Sequence, residues 1–479
     1  MNKIKEICQK KWLKNQYITF IQLIITVVFF GFLLIELPIL PVMYTMIIVV
    51  IFVLLLLLTY FLQYNRDFFS IRGIISKIIA IIVSMALVLG CLFIRSGSSF
   101  MDGFTGANIQ TDALSVIVLK ESTYHELKDI EGKTIMYNST IDEDNTNKAI
   151  KDIQGQINVN FNTCDSWENL YSNLFKQQVD AILVNEAYRV LLENIDEEFS
   201  EKTRVIYQIE IESKDKNIAN EGSVKDGVFN ILISGIDTYG SISTRSRSDV
   251  NMLMSVNMNE HKILLTGIPR DCYMPLAMNG QYDKLTHSGI YGINETVQTI
   301  AHFLDINIDY YYRVNFSSLI NVVDVLGGIY VYSDQELTLG QYHYNQGANY
   351  MNGEMALAFA RERHSYSEGD NHRIQNQQEV MIGIINALIS TDTIMNYQNI
   401  LNKVEGSFDT NMSKDDLLTV IKNQIDHMQG YEIERQYLTG SGKMTYGLYS
   451  MPNNNLYTLV VDETSLKNVS AKIKEITNN

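Results

Sequence analysis

Cysteine is scarce in this chain, basic charge is in deficit, and no internal repeat or low-complexity tract is present; each shortage excludes something. Four cysteines, Cys8, Cys91, Cys164 and Cys272, are spread over 479 residues. No C-x-x-C spacing occurs, which removes a cysteine-built zinc site, and the two that lie beyond the apolar N-terminal region make no disulfide framework. Packing thiols are the expectation. The formal net charge is -16, which argues against nucleic acid as a partner, because duplex binding draws its affinity from clustered Lys and Arg. The length allows two or three domains, each able to bury its own core.

What the chain does have, at its start, is three long apolar runs: residues 17–37, "YITFIQLIITVVFFGFLLIEL", residues 39–62, and residues 73–94, "GIISKIIAIIVSMALVLGCLFI". A bilayer core needs roughly 20 residues of helix, and each run reaches that length, so residues 1–95 read as three transmembrane helices. A cleaved signal peptide does not fit, because the first run is too long and two more follow. Lys3, Lys5, Lys10, Lys11 and Lys14 precede the first run, and Arg66, Arg72 and Lys77 lie around the gap between the second and third. Basic residues stay on the cytoplasmic side. The expectation is a multi-pass cell-membrane protein with a cytoplasmic N-terminus and everything after Arg95 extracellular.

Residues 96–226 read as a small α/β accessory domain with linkers. "SGSSFMDGFTGAN" (96–108) has the small, polar composition of a flexible boundary. "LSVIVLK" (114–120) alternates as a strand, residues 134–137 form a second, and "VDAILVN" (179–185) a buried third; Trp167, Leu170, Leu174 and Phe175 recur at helical spacing. This order resembles one lobe of an extracellular solute-binding protein. A single lobe has no cleft between lobes, so an accessory or partner-binding role is expected rather than ligand capture. The charged stretch at residues 210–226 reads as a second linker.

Residues 227–479 read as a layered α/β/α sheet domain. "VFNILISGID" is an apolar strand ending in Gly235 and Asp237; "VNMLMSV" (250–256), a turn at 257–260 and "KILLTGI" (262–268) make an antiparallel pair. That pairing sets Asp249 opposite residues 268–270, so Arg247, Asp249, Arg270 and Asp271 gather at one end of the sheet. Asp237 joins them if the strand at 228–234 runs parallel to that at 262–268. Further helices and strands alternate after it. A helix over 353–364 delivers Arg361 and Arg363. Asp370 or Asn371 can cap the next helix, on which Arg373 and Gln377, four apart, share a face. Ile374, Met381, Ile384, Ile385 and Leu388 form an apolar stripe beside them.

Each arginine alone reads equally well as a surface salt bridge, worth about 0–1 kcal/mol. All five fall at strand or helix ends, however, and guanidinium forks suit phosphate oxygens. Asp237 and Asp249 would repel a phosphate unless a hard cation such as Mg²⁺, which takes one or two carboxylates with phosphate oxygens and waters, lies between. Salt bridging to the neighbouring arginines is the alternative.

The stretches "ISGIDTYG", "SRSDVNMLMSVN", "KILLTGIPRDCY", "YDKLTHSGIYGINETV" and "RERHSYSEGDNHRIQNQQ" together resemble the LytR-CpsA-Psr (LCP) family, within it the capsule-associated CpsA type. The resemblance implies an enzyme that moves a glycopolymer phosphate (capsule or teichoic-acid-like) from a polyprenyl-pyrophosphate lipid to peptidoglycan. By position, Asp237 and Asp249 then resemble magnesium ligands. Arg247, Arg270, Arg361, Arg363, Arg373 and Gln377 resemble pyrophosphate contacts, with Asp271 placed to position or deprotonate the acceptor. Many members carry a further arginine three residues after Arg373, where this chain has Asn376. Two other readings compete. One is hydrolysis of the lipid pyrophosphate, which the same phosphate grip serves; the other is a non-catalytic membrane-bound regulator or solute sensor. A transcriptional regulator would need a cytoplasmic basic module, and the cytoplasmic parts expected here are a short leader and one small loop.

Overall fold

The computed structural model describes residues 17–36, 42–64, 70–104, 109–214, 224–236, 242, 245–366, 369–390, 393, 397–404 and 406–477. The described residues fall into two units, one within Met1–Thr105 and Ser413–Met428, the other within Gly106–Met412 and Gln429–Asn479.

The first unit holds helices α1 (Tyr17–Glu36), α2 (Val42–Gln63) and α3 (Ile71–Phe104). Their burial is inverted relative to a water-soluble bundle. Val27, Val50, Leu54, Phe61 and Ile82 are exposed, whereas Gln22, Thr59, Gln63 and Ser76 are buried. Thr19 donates to Gln63 Oε1 and Thr59 to Gln22 Oε1, both at 2.9 Å, and Ser76 donates to the Thr59 carbonyl at 2.8 Å. Apolar surface outside and polar pairs between helices suit a lipid surround. Among the described residues two helices, Thr45–Gln63 and Ile71–Cys91, are long and apolar enough to cross a membrane, not the three expected; the apolar part of α1, Tyr17–Leu33, is shorter. Thr19, Gln22 and Thr26 are the α1 side chains that turn inward. The flexible linker expected at 96–108 is also corrected, because α3 continues as helix through Phe104.

Among its described residues the second unit contains two large sheets and four two-stranded pairs. The smaller has strands β1 (Ile109–Leu119), β2 (Thr134–Asn138), β3 (Asn160–Cys164), β4 (Ala181–Asn185) and β5 (Thr203–Lys214), ordered β3-β2-β4-β1-β5. Alternate residues of β1 serve two cores. Leu114, Val116 and Val118 pack with Ala149 and Ile153 of α4 (Glu143–Gln156), and Ile117 with Trp167, Leu170 and Leu174 of α5 (Trp167–Phe175). The linker expected from residue 210 begins later, since β5 runs to Lys214 with Ile211 buried between Glu210 and Glu212.

The larger sheet has strands β6 (Val228–Ile236), β7 (Ser248–Asn257), β8 (Lys262–Gly267), β9 (Tyr310–Val314), β12 (Asp409–Thr410) and β13 (Glu432–Tyr437), ordered β12-β9-β6-β7-β8-β13; a separate pair, β10 (Ile329–Ser333) and β11 (Gly347–Met351), lies between β9 and β12 in sequence. β6–β7 and β7–β8 are both antiparallel, so β6 and β8 point the same way and end at one edge. On one face Leu232, Leu253 and Leu264 form a core with Val297, Ile300 and Leu304 of α6 (Ile293–Leu304) and Val469 and Ile473 of α10 (Glu463–Thr477). Helices α7 (Phe316–Val325), α8 (Gly353–Arg361) and α9 (Asp370–Leu388) build a second core with β10 and β11. Between these helices and the sheet lies a cavity.

Candidate functional site

A cavity of about 480 Å³ opens at the shared edge of β6 and β8. A native interior is packed with few voids larger than a water molecule, so a space of this size is a pocket rather than a packing fault. Its interior is apolar, lined by Ile233 and Met252 from the sheet, Leu319 and Leu357 from α7 and α8, and Val380, Met381 and Ile384 from α9. Its polar lining comes from Arg247, Asp249, Arg270, Arg361, Arg363, His364, Arg373 and Gln377. The apolar stripe expected on α9 is therefore divided: Met381 and Ile384 line the space, Ile374 and Ile385 are buried without lining it, and Leu388 is exposed.

Asp249 owes its direction to a β-bulge. Gly235 pairs with Val250, and Ile236 with Ser248, which leaves Asp249 without a partner on β6. Bulges re-aim the side chain they carry. Ser234 and Ser248 Oγ atoms lie 2.7 Å apart, and Ser248 donates to Asn251 Oδ1 at 2.7 Å, so the bulge is held from both strands. Asp249 Oδ2 accepts from Arg247 Nε at 2.7 Å; Oδ1 accepts from Arg270 at 3.1 Å and from Thr286 at 2.9 Å. Burial pushes its carboxyl pKa up, but Arg247 and Arg270 outweigh that and hold it below the usual carboxylate value.

Among the described residues, three carboxylates meet the five arginines, those of Asp249, Asp271 and Asp370. Arg373 pairs with Asp370 at 2.8 Å, yet its Nε is buried with no hydrogen-bond partner among the described residues, as is the Nε of Arg270. Burial lowers the pKa of Arg373; Asp370 opposes this, while Arg270 and Arg363 add repulsion. The Arg361 guanidinium lies 4.3 Å from the Phe316 ring centroid, and Arg363 Nε donates to His364 Nε2 at 3.3 Å. Such a set is arranged for a polyanion, since guanidinium bonds to phosphate oxygens are charge-assisted and bidentate.

The structure thus brings Arg247, Asp249, Arg270, Arg361, Arg363, Arg373 and Gln377 onto one cavity. Asp271 adjoins this set without lining the space; its carboxylate meets Lys284 Nζ at 2.5 Å. Asp237 lies outside the described residues. Helix α8 ends at Arg361 rather than at 364, and α9 is preceded by Gly369 at φ +55°. Asp370, expected as a cap, instead pairs with Arg373. Asn376 is buried and donates to the Phe359 carbonyl at 3.3 Å, tying α9 to α8 away from the cavity. Thr286, Phe316 and Asp370 were not singled out as site residues; only Asp370, three residues before Arg373, carried a local signal.

The LytR_cpsA_psr family model matches residues 196–475. The polyisoprenyl-teichoic acid–peptidoglycan teichoic acid transferase TagU of Bacillus licheniformis is 32% identical over 256 residues, 52% of this chain and 78% of the relative. TagU of Bacillus subtilis strain 168 is 31% identical over 271 residues, 55% and 84% of the two chains. The chain belongs to the LytR-CpsA-Psr family. The crystal structure of B. subtilis TagV is 27% identical, covering 53% of this chain and 98% of that one with a TM-score of 0.46.

For the Mg²⁺ that LytR-CpsA-Psr membership led us to expect, the donors can be counted. No group of three or more His, Cys, Asp or Glu able to hold a metal occurs among the described residues. Asp249 is the one described carboxylate lining the cavity, and three donors occupy it, leaving one lone pair on Oδ2. Mg²⁺ is satisfied by one or two carboxylates when phosphate oxygens and waters complete the shell. The described residues therefore fit a metal that arrives with a diphosphate.

Proposed function

We propose that this protein is a cell-wall glycopolymer transferase that moves a glycan phosphate, of capsule or teichoic-acid type, from a polyprenyl-pyrophosphate carrier to a hydroxyl of peptidoglycan. The observation that carries the reading is one cavity with five arginines and an apolar interior, which matches a ligand charged at one end and hydrocarbon at the other. Its TagU relatives are teichoic acid transferases by name, which supports the same class of reaction.

In this reading the acceptor hydroxyl oxygen forms a bond to the glycan-side phosphorus. The bond from that phosphorus to the bridging oxygen breaks, polyprenyl monophosphate leaves, and the acceptor proton passes to a base. Arg247, Arg270, Arg361, Arg363, Arg373 and Gln377 grip the diphosphate and offset charge on the leaving phosphate, the main requirement of phosphoryl transfer. Asp249 holds Arg247 and Arg270 in place and, with Asp237, would bind Mg²⁺, which supplies further charge neutralisation when bound. Asp271, adjoining Arg270, is assigned to the acceptor side. The α/β/α layering encloses the polyprenyl chain. A membrane anchor formed by the N-terminal apolar helices, a cytoplasmic N-terminus and an extracellular catalytic region complete the proposal.

The test incubates the full chain in detergent micelles with Mg²⁺, a polyprenyl-pyrophosphate saccharide and peptidoglycan fragments, followed by mass spectrometry. A sugar-phosphate adduct on peptidoglycan is expected. Free sugar phosphate alone would make the protein a phosphohydrolase, and an untouched donor would remove the enzymatic reading.

A further inference from the structure

We propose that the five-stranded domain positions the phosphate-gripping segment of the larger sheet through a buried ion pair, Asp112–Arg245; the proposal rests on the transferase reading above. Asp112 on β1 is fully buried. The Asn145 amide donates to Asp112 at 3.1 Å and to Asp142 at 2.8 Å, and the Asn185 amide donates to the same two carboxylates at 3.0 and 2.6 Å. Two amides thus tie two carboxylates together without neutralising either. The cation comes from outside that domain. Arg245, on the segment entering β7, brings its Nε to 3.6 Å from Asp112 Oδ1, and its backbone N–H donates to the Thr111 carbonyl at 3.3 Å.

Arg245 stands two residues before Arg247 and four before Asp249. A chain spans at most about 3.3–3.6 Å per residue, so this anchor lies within about 7 Å of Arg247 and about 14 Å of Asp249 along the backbone. The segment also packs closely against Gly289. A Cβ there would lie 2.5 Å from the Ser248 nitrogen and 2.6 Å from the Ser246 oxygen, which leaves no room for the segment to drift that way. The next residue, Ile290, belongs to a core shared with Trp167, Leu170 and Leu191 of the five-stranded domain. Both grips therefore lead back to the same domain.

That apolar core already joins the two parts. A buried charged cluster adds little stability over apolar packing of equal volume, and its best-attested use is to specify one arrangement. Here the arrangement it specifies is the approach of residues 245–247 to the cavity. Asp112 and Arg245 do not line the cavity, which makes them positioning residues rather than catalytic ones.

The test uses the full chain in detergent micelles and three variants. Arg245→Met is expected to raise amide exchange at Arg247 and Ser248 tenfold or more and to raise the KM for a polyprenyl-pyrophosphate donor by a similar factor. Arg245→Lys, which keeps the buried charge and so guards against a folding failure, is expected to hold that KM within about threefold of wild type. Ile130→Ala, which loosens the other core of the five-stranded domain and leaves the core around Ile290 intact, is expected to lower the Tm and leave donor KM unchanged. Unchanged exchange in Arg245→Met, or an equal rise in KM in Ile130→Ala, overturns the proposal. Wild-type protein that leaves the donor untouched speaks against the transferase reading alone, and the exchange comparison then decides the positioning role.

Discussion

Replacing Arg373 with Gln separates a ligand-gripping arginine from a structural one, because the structure assigns different magnitudes to the two roles. Among the described residues the guanidinium has one hydrogen-bonded partner, Asp370, whose side chain is 31% exposed. An ion pair so open to water is worth about 0–1 kcal/mol, and its loss shifts the Tm of a domain this large by no more than about 4 °C. Relief of the crowding from Arg270 and Arg363 acts in the opposite direction. Stability should therefore change little. Binding should change more: the partnerless Nε is a donor awaiting an acceptor, and a hydrogen bond to a charged group contributes about 1.5–3 kcal/mol. That range corresponds to a loss in affinity of about tenfold to a hundredfold. Isothermal titration of the full chain with a short-chain polyprenyl pyrophosphate, at one fixed salt concentration, measures it. A Kd within twofold of wild type would refute the reasoning, and a large fall in Tm would reassign Arg373 to the scaffold.

The pKa of Asp249 is depressed in the fold, so its ionised form contributes stability that is present above the unfolded value of about 3.9 and lost as pH falls through the lower folded value. The stability gap between wild type and Asp249→Asn, followed by urea unfolding, should be flat from pH 5 to 8 and close only below about pH 4; a gap that closes near neutrality contradicts the arginine-held carboxylate. Met381→Trp puts bulk into the apolar interior from a residue that is not part of the helical core. It should remove the gain in affinity from lengthening the polyprenyl chain while leaving inorganic pyrophosphate binding within twofold, measured by the same titration.

Much of the site was legible because strand pairing converts a short turn into a long-range contact. Once residues 250–256 and 262–268 are read as an antiparallel pair, Asp249 must meet the region of Arg270, and the observed 3.1 Å bond follows. The bulge that frees Asp249 was not legible, since it depends on how β6 meets β7 rather than on either strand alone. Helix α4, "EDNTNKAIKDIQGQ", was missed because Ala149, Ile150 and Ile153 are its only apolar residues, too few for a clear helical period. β5 was missed, and its end read as linker, because glutamates alternating with isoleucines were read as charge rather than as an exposed face. Thr286 and Phe316 reach the site from separate stretches of chain, and nothing local marks them.

The cavity itself lies beyond pattern reading for a physical reason. A residue that lines an apolar space and one that fills a core share the same hydrophobicity and spacing, so the stripe on α9 has two equivalent interpretations. What keeps the space open is visible only in three dimensions. Helices α7, α8 and α9 do not depend on the sheet for their core: Val323, Phe359, Val380 and Ile384 close with Ile329, Val331, Tyr344 and Met351 into a cluster of their own. The sheet likewise buries Leu232, Leu253 and Leu264 on its opposite face. Each wall is stable without collapsing onto the other, and collapse would drive five arginines together against the carboxylates of Asp249, Asp271 and Asp370 among the described residues. An anion entering at the arginines removes that repulsion, which is why the charged end of the ligand, rather than its hydrocarbon, should dominate the loss of affinity in Arg373→Gln.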